Sequence, residues 1–132
     1  MATVTRSVNA SVDASTAMYA PRVDDGVVAG EDLPAGCPCY IKSDGKAWKC
    51  DGSTTGAASK FDGVTPKLYK TGEPVVLFGV GTRVHMFDAD QTPGALMYVG
   101  AAGAWDNAAT TGDTNGTLRM VTARIARVVR SL

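Results

Sequence analysis

The 132-residue sequence has few of the features from which function is usually read. It has one histidine and three cysteines with no Cys-x-x-Cys pair. Zinc-type spacings are therefore missing. There is no Gly-x-Ser-x-Gly, no P-loop and no His-Glu-x-x-His. Gly79-Val80-Gly81 is too short for a dinucleotide fingerprint. No apolar run approaches the ~18 residues of a membrane span. Residues 1–15 lack the apolar stretch of a signal peptide, so synthesis in a cytoplasm is expected. Thirteen basic residues balance thirteen acidic ones. A zero net charge excludes nucleic-acid binding by bulk electrostatics. What is abundant is glycine, fifteen in all, spaced as turns between short apolar runs. That pattern favours many short strands over long helices. One domain is expected, large enough to bury a core without metals or disulfides.

The strongest local signal is Leu33 to Cys50. Asp44-Gly45 lies between two apolar runs, a hairpin signature. A two-residue turn there sets Ile41 opposite Trp48, Tyr40 opposite Lys49 and Cys39 opposite Cys50. By strand alternation, Cys37, Cys39, Ile41, Trp48 and Cys50 share one face and meet a core. Tyr40, Lys42, Ala47 and Lys49 share the other and meet water or a partner. Cys39 and Cys50 are then either a cross-strand disulfide or, with Cys37, free thiols packed as small hydrophobes.

Residues 1–26 differ from the rest, with no aromatic before Tyr19. Met18, Tyr19, Pro21 and Arg22 are their sticky spot. Two readings are open: a disordered tail, or an extended arm that orders on a neighbouring subunit by strand addition. The globular part is expected over 27–132. Val75 to Val80 reads as a central strand. Thr82 to Phe87 alternates, with Val84 inward and Arg83 and His85 outward, so His85 is expected as an exposed strand residue. A helical turn is expected at residues 57–60 and a strand from Thr117 through about Val129. Arg124, Arg127 and Arg130 recur every three residues there, as a solvated face or a partner-facing stripe. Asp88 and Asp90 are too sparse for a calcium loop.

A second hairpin follows Pro93-Gly94. Tyr40, Gly45 and Trp48 match Tyr98, Gly103 and Trp105 at offsets of 58, 58 and 57 residues. A three-residue loop Ala101-Ala102-Gly103, with Gly103 left-handed, puts Val99 opposite Trp105. The two units read as an internal duplication, or as chance similarity of two glycine-rich hairpins.

The ordered set Gly30-Glu31-Asp32-Leu33-Pro34-Ala35-Gly36, Ser43-Asp44-Gly45-Lys46, Gly72-Glu73-Pro74-Val75, Gly79-Val80-Gly81-Thr82 and Thr92-Pro93-Gly94-Ala95-Leu96-Met97-Tyr98 resembles the head decoration (capsid cement) proteins of tailed bacteriophages, over residues 28–130. The resemblance implies an all-β, small barrel-like or tulip-like domain of short antiparallel strands. It implies a non-enzymatic virion protein on the outer capsid surface. Its partners would be the major capsid protein and other copies of itself in clusters, as a homotrimer. It carries over no catalytic motif, cofactor or metal, and involves no nucleic acid or membrane. The expected contact residues are Met18, Tyr19, Pro21, Arg22, Tyr40, Lys42 and Lys49. The alternative is a virion-borne carbohydrate- or host-surface-binding β-module, motivated by Tyr40 and Tyr98.

Overall fold

A computed structural model describes residues 3–4, 6–12, 22–23, 26–87 and 90–129. The described strands are β1 Thr3–Val4, β2 Arg6–Val12, β3 Arg22–Val23, β4 Pro38–Ile41, β5 Ala47–Lys49, β6 Gly63–Val64, β7 Leu77–Phe78, β8 Arg83–Phe87, β9 Leu96–Val99, β10 Trp105–Asp106, β11 Leu118–Met120 and β12 Ile125–Val128. Their ladders are all antiparallel. They form a seven-stranded sheet, β1-β10-β9-β11-β12-β8-β2, and a five-stranded sheet, β3-β7-β6-β4-β5. The protein is therefore all-β, as its glycine-punctuated pattern implies. The expected helical turn is a single 3-10 turn, Ala57–Ser59.

β1 and β2 stand at opposite ends of the larger sheet, although only Thr5 separates them in the chain. β1 and β2 thus form the two outer edges of that sheet, with no ladder between them. The described strands of the N-terminal segment pair within their own chain: Thr3 with Asp106, Ser11 with His85, Arg22 with Phe78. Main-chain ladders need no apolar side chain, so a Ser/Thr/Val run carries no sign of which edge it joins.

The core is in two parts. One lies between the sheets and gathers Tyr40, Cys50, Phe61 and Val64 against Val84, Phe87, Met97, Val99, Trp105, Leu118, Met120, Ala126 and Val128. The other lies on the far face of the smaller sheet: Ala29, Leu33, Cys37, Cys39, Ala47, Tyr69, Val75 and Leu77. Segments 27–36 and 69–75 cover that far face through the bridges Val28–Pro74, Ala29–Ala47 and Leu33–Tyr69. The smaller sheet is consequently buried on both sides. Strands in that situation read as continuous apolar runs, as Cys37-Pro38-Cys39-Tyr40-Ile41 does.

This corrects the register of the first hairpin. The observed pairs are Cys39–Lys49, Tyr40–Trp48 and Ile41–Ala47. The turn is a three-residue loop, Ser43-Asp44-Gly45: Lys42 N–H donates to the Lys46 carbonyl at 3.0 Å and Gly45 N–H to the Lys42 carbonyl at 2.9 Å. Gly45 sits at φ +81°, where a Cβ would be strained. Asp-Gly suits either loop length. The longer loop lets the Asp44 carboxylate accept both Lys46 N–H at 2.9 Å and the Trp48 indole N–H at 3.2 Å. A one-residue slip exchanges the two faces of one strand relative to the other. Tyr40, Trp48 and Cys50 now face the inter-sheet core, and Cys37, Cys39, Ile41 and Ala47 the far one.

The second hairpin has the expected register, Val99 opposite Trp105 and Gly103 at φ +81°. Gly100 and Ala104 bracket its loop as Lys42 and Lys46 bracket the first. With loops of equal length, Trp105 corresponds to Ala47 and Trp48 to Asp106. Trp105 is fully buried, its indole N–H donating to the Gly36 carbonyl at 2.9 Å. Trp48 is half-buried at a hairpin tip. The tryptophans stand at non-corresponding positions of the two hairpins, one in the core and one at its margin, which goes against the duplication reading. The two turns share a geometry and nothing more.

The remaining differences are in extent. The central strand expected over residues 75–80 is reduced to β7, because Gly81, at φ +93°, turns the chain directly into β8. The final strand is a hairpin, β11 and β12, broken at residues 121–124. Val84 is buried, and Arg83 and His85 are exposed, as the alternation implies.

Candidate functional site

The expected contact residues do not form one surface. Met18, Tyr19 and Pro21 lie outside the described residues. Arg22 is in β3, at an edge of the smaller sheet. Tyr40 is buried, 8 % exposed, against the expectation that it faces water or a partner. Its phenol pKa is raised, first by that burial. Lys42 is exposed. Lys49 pairs with Cys39, opposite in face to Tyr40, and its backbone N–H donates to the Glu31 carboxylate at 3.1 Å. Burial on both faces of β4 explains the failure for Tyr40: no side of that strand is left for a partner.

What the hairpin does present is its tip. Lys42, Ser43, Asp44, Gly45 and Lys46 are all exposed. The Trp48 ring packs so closely on Gly30 that a Cβ there would fall 2.3 Å from Trp48 Cε2. The Lys42 ammonium lies 4.5 Å from the Trp48 ring centroid. The Asp44 carboxyl is held below its usual range, chiefly by the Lys46 backbone N–H and then by the Trp48 indole. Charge of both signs is thus fixed around one half-buried aromatic, on a loop whose backbone is hydrogen-bonded. Trp48 packs against the margin of the inter-sheet core, as expected of its face, with its indole N–H turned to the loop. Its position at the tip follows from the loop length, which Asp44-Gly45 alone does not specify.

The chemistry of the cysteines is muted. None of the three forms a disulfide, and all are buried. Burial, followed by the neighbouring Cys37, pushes the Cys50 thiol far above its ordinary range. The thiolate is the nucleophilic form, so such thiols are inert. In native protein none of the three is expected to react with a thiol-specific chromogenic disulfide at neutral pH, whereas all three react in denaturant. Rapid native labelling of even one would contradict this burial. Among the described residues, no three His, Cys, Asp or Glu side chains gather as a metal site. No helix of the described residues is long and apolar enough to cross a membrane.

The buried polar side chains organise loops. Asp113, 2 % exposed, accepts Val99 N–H at 2.9 Å, Gly116 N–H at 2.9 Å and the Thr117 hydroxyl at 2.8 Å. Thr110 Oγ1 donates to the Val99 carbonyl at 2.8 Å. Gly112 N–H donates to the Gly52 carbonyl, and Gly52 N–H to the Gly100 carbonyl. The two polar loops after the hairpins, 51–60 and 107–116, are thereby tied together rather than left to close over a ligand. In comparisons with known proteins, no family model matches the chain and no curated protein matches it.

Proposed function

We infer that this protein is a non-enzymatic structural protein of a phage virion, binding the outer surface of the capsid in clusters and stabilising it. One observation supports the reading most. The turn motifs that carry the resemblance to head decoration proteins recur, in order, as left-handed glycine turns of an all-β domain: Gly36, Gly45, Gly72, Gly81 and Gly94, with φ of +71°, +81°, +87°, +93° and +85°. The physical properties suit the role. A domain whose loops are tied to one another loses little conformational entropy on docking. Zero net charge removes self-repulsion among crowded copies. Clustered copies add effective concentration to modest single contacts. The contact proposed on the described residues is the hairpin tip, Lys42 to Lys46 with Trp48. Met18, Tyr19 and Pro21 remain in the proposal on their sequence. The sugar-binding alternative loses Tyr40, which is buried, and keeps Tyr98, which is half-buried.

Added to expanded, undecorated capsids, the protein is expected to bind and to raise their rupture temperature in a thermal scan. Lys42→Glu combined with Lys46→Glu, both exposed, is expected to remove most of that gain while leaving the free domain's own melting midpoint nearly unchanged. Failure of the unmodified protein to bind any such capsid ends the reading.

A further inference from the structure

The register of the larger sheet sets three arginines side by side. Arg119 in β11 is directly opposite Arg127 in β12, and Arg127 is directly opposite Arg83 in β8. All three are exposed. On the other side of Arg119, in β9, stands Leu96, 37 % exposed. The outer row across four adjacent strands is therefore Arg83, Arg127, Arg119, Leu96. With strands about 4.8 Å apart, the three guanidinium-bearing positions span about 10 Å. Two residues on from Arg119, just past the end of β11, is Val121, 41 % exposed. Gly94, Arg119, Met120, Val121 and Arg127 line a groove of about 220 Å³. Asp90 in the adjoining turn is engaged by Arg124.

Like charges directly opposite on neighbouring strands destabilise a sheet. Here they are concentrated in a chain of zero net charge, whose residues 114–132 hold four arginines and no acidic residue. Arg119 Nε donates to the Gly94 carbonyl at 3.5 Å, and among the described residues neither Arg119 nor Arg127 is ion-paired. A ligand with negative charge would offset the repulsion between them. Arginine is also enriched in protein interfaces, where its planar fork pairs with carboxylates. The exposed aliphatic side chains flanking the row suit a protein surface rather than a phosphate backbone.

We propose that the outer face of β8, β12, β11 and β9 is a docking surface for a protein segment that carries carboxylates beside apolar side chains. Arg127, at the centre, and Arg119 are the main anchors, with Leu96 and Val121 as the apolar contact. This surface is built from strands other than the first hairpin and does not depend on the capsid reading.

The test uses a labelled peptide in which Glu alternates with Leu, the same peptide with Gln at every Glu, and labelled single-stranded DNA, all followed by fluorescence anisotropy with the full chain. The Glu peptide is expected to bind, more weakly as salt is raised, and the Gln peptide to lose at least about tenfold in affinity. Arg127→Gln is expected to weaken the Glu peptide by about tenfold, and Arg127→Lys by less. Arg127→Gln is also expected to raise the melting midpoint of the free protein, because it removes the repulsion with Arg119. A purely structural arginine would lower it. The proposal is overturned if the Glu peptide does not bind, if Arg127→Gln binds it as well as the parent does, if Arg127→Gln melts lower, or if DNA binds more tightly than the peptide. It is also overturned if light scattering shows that the face instead pairs two copies of this chain, a pairing lost in Arg127→Gln.

Discussion

Trp105→Ala is expected to destabilise the protein by about 3–5 kcal/mol, the range for deleting a large buried aromatic. Trp105 has no exposed surface and lies in the inter-sheet core with Phe61, whose ring centroid is 6.0 Å away. Its indole N–H satisfies the Gly36 carbonyl, at the turn that leads into β4. The substitution thus opens a cavity and strips a buried acceptor in one step. Against a typical total of ~5–15 kcal/mol, that is a large part of the stability. Trp105→Phe refills part of the volume and leaves Gly36 without its donor, so an intermediate loss is expected. Trp48→Ala is the informative partner. Trp48 is half-buried and its N–H meets an exposed carboxylate, so less than half the Trp105 cost is expected. Urea unfolding of the three variants measures all of this. In Trp48→Ala the only indole left is Trp105, and its emission should be that of a dry site. Equal costs for Trp48→Ala and Trp105→Ala would contradict the observed register.

The second large effect is expected at Asp113. Asp113→Ala leaves the N–H groups of Val99 and Gly116 and the Thr117 hydroxyl without the acceptor they share. A buried donor stranded in this way costs about 1–3 kcal/mol, and the three are not independent. A loss of about 3–4 kcal/mol is therefore expected. Asp113→Asn preserves shape but turns one acceptor into a donor that faces donors. It should recover only part of the loss. Hydrogen exchange offers a local reading: protection of Val99 and Gly116 should fall well before that of β4. If Asp113→Ala unfolds within about 1 kcal/mol of the parent, the carboxylate does not hold these loops. Both experiments concern the framework that supports the two exposed faces proposed for binding, the first hairpin's tip and the arginine row.

Asp113 also shows where sequence reading stops. Residues 106–116 read as a polar loop, and apart from Asp106, which ends β10, they are one. Nothing in Asn107-Ala108-Ala109-Thr110-Thr111-Gly112-Asp113 marks Asp113 as buried. The marker is spatial: Gly52, whose Cβ would fall 1.9 Å from the Val99 carbonyl oxygen, and Gly112, whose Cβ would fall 2.2 Å from that of Thr54. Only two glycines let the loops approach closely enough for Asp113 to reach β9. The arginine row has the same character. In the sequence, Arg124, Arg127 and Arg130 form a spacing of three. In the sheet the row is Arg83, Arg127 and Arg119, residues brought together from 44 positions of chain by register alone. The site expectations fared less well than the fold for this reason. Alternation puts Tyr40 on the face away from the cysteines, but both faces of its strand are buried, and one residue of loop length exchanges Trp48 and Ala47 relative to that strand.

By itself, the sequence determined the class of the fold, the places where the chain turns, and the alternation along β8. These are local properties. A glycine at positive φ, or an apolar residue at every second position, acts over a few residues and is legible there. The second hairpin's register was legible on the same terms, because its loop leaves one choice. Tertiary structure decided the rest. It selected the three-residue loop of the first hairpin, because that loop aims Asp44 at Trp48 and leaves Trp48 resting on Gly30. It buried the smaller sheet on both faces, and it set the outer edges of the larger sheet on the consecutive strands β1 and β2. Such outcomes depend on which distant segments pack together, and the free-energy differences among them are spread over many contacts that no single stretch of sequence contains.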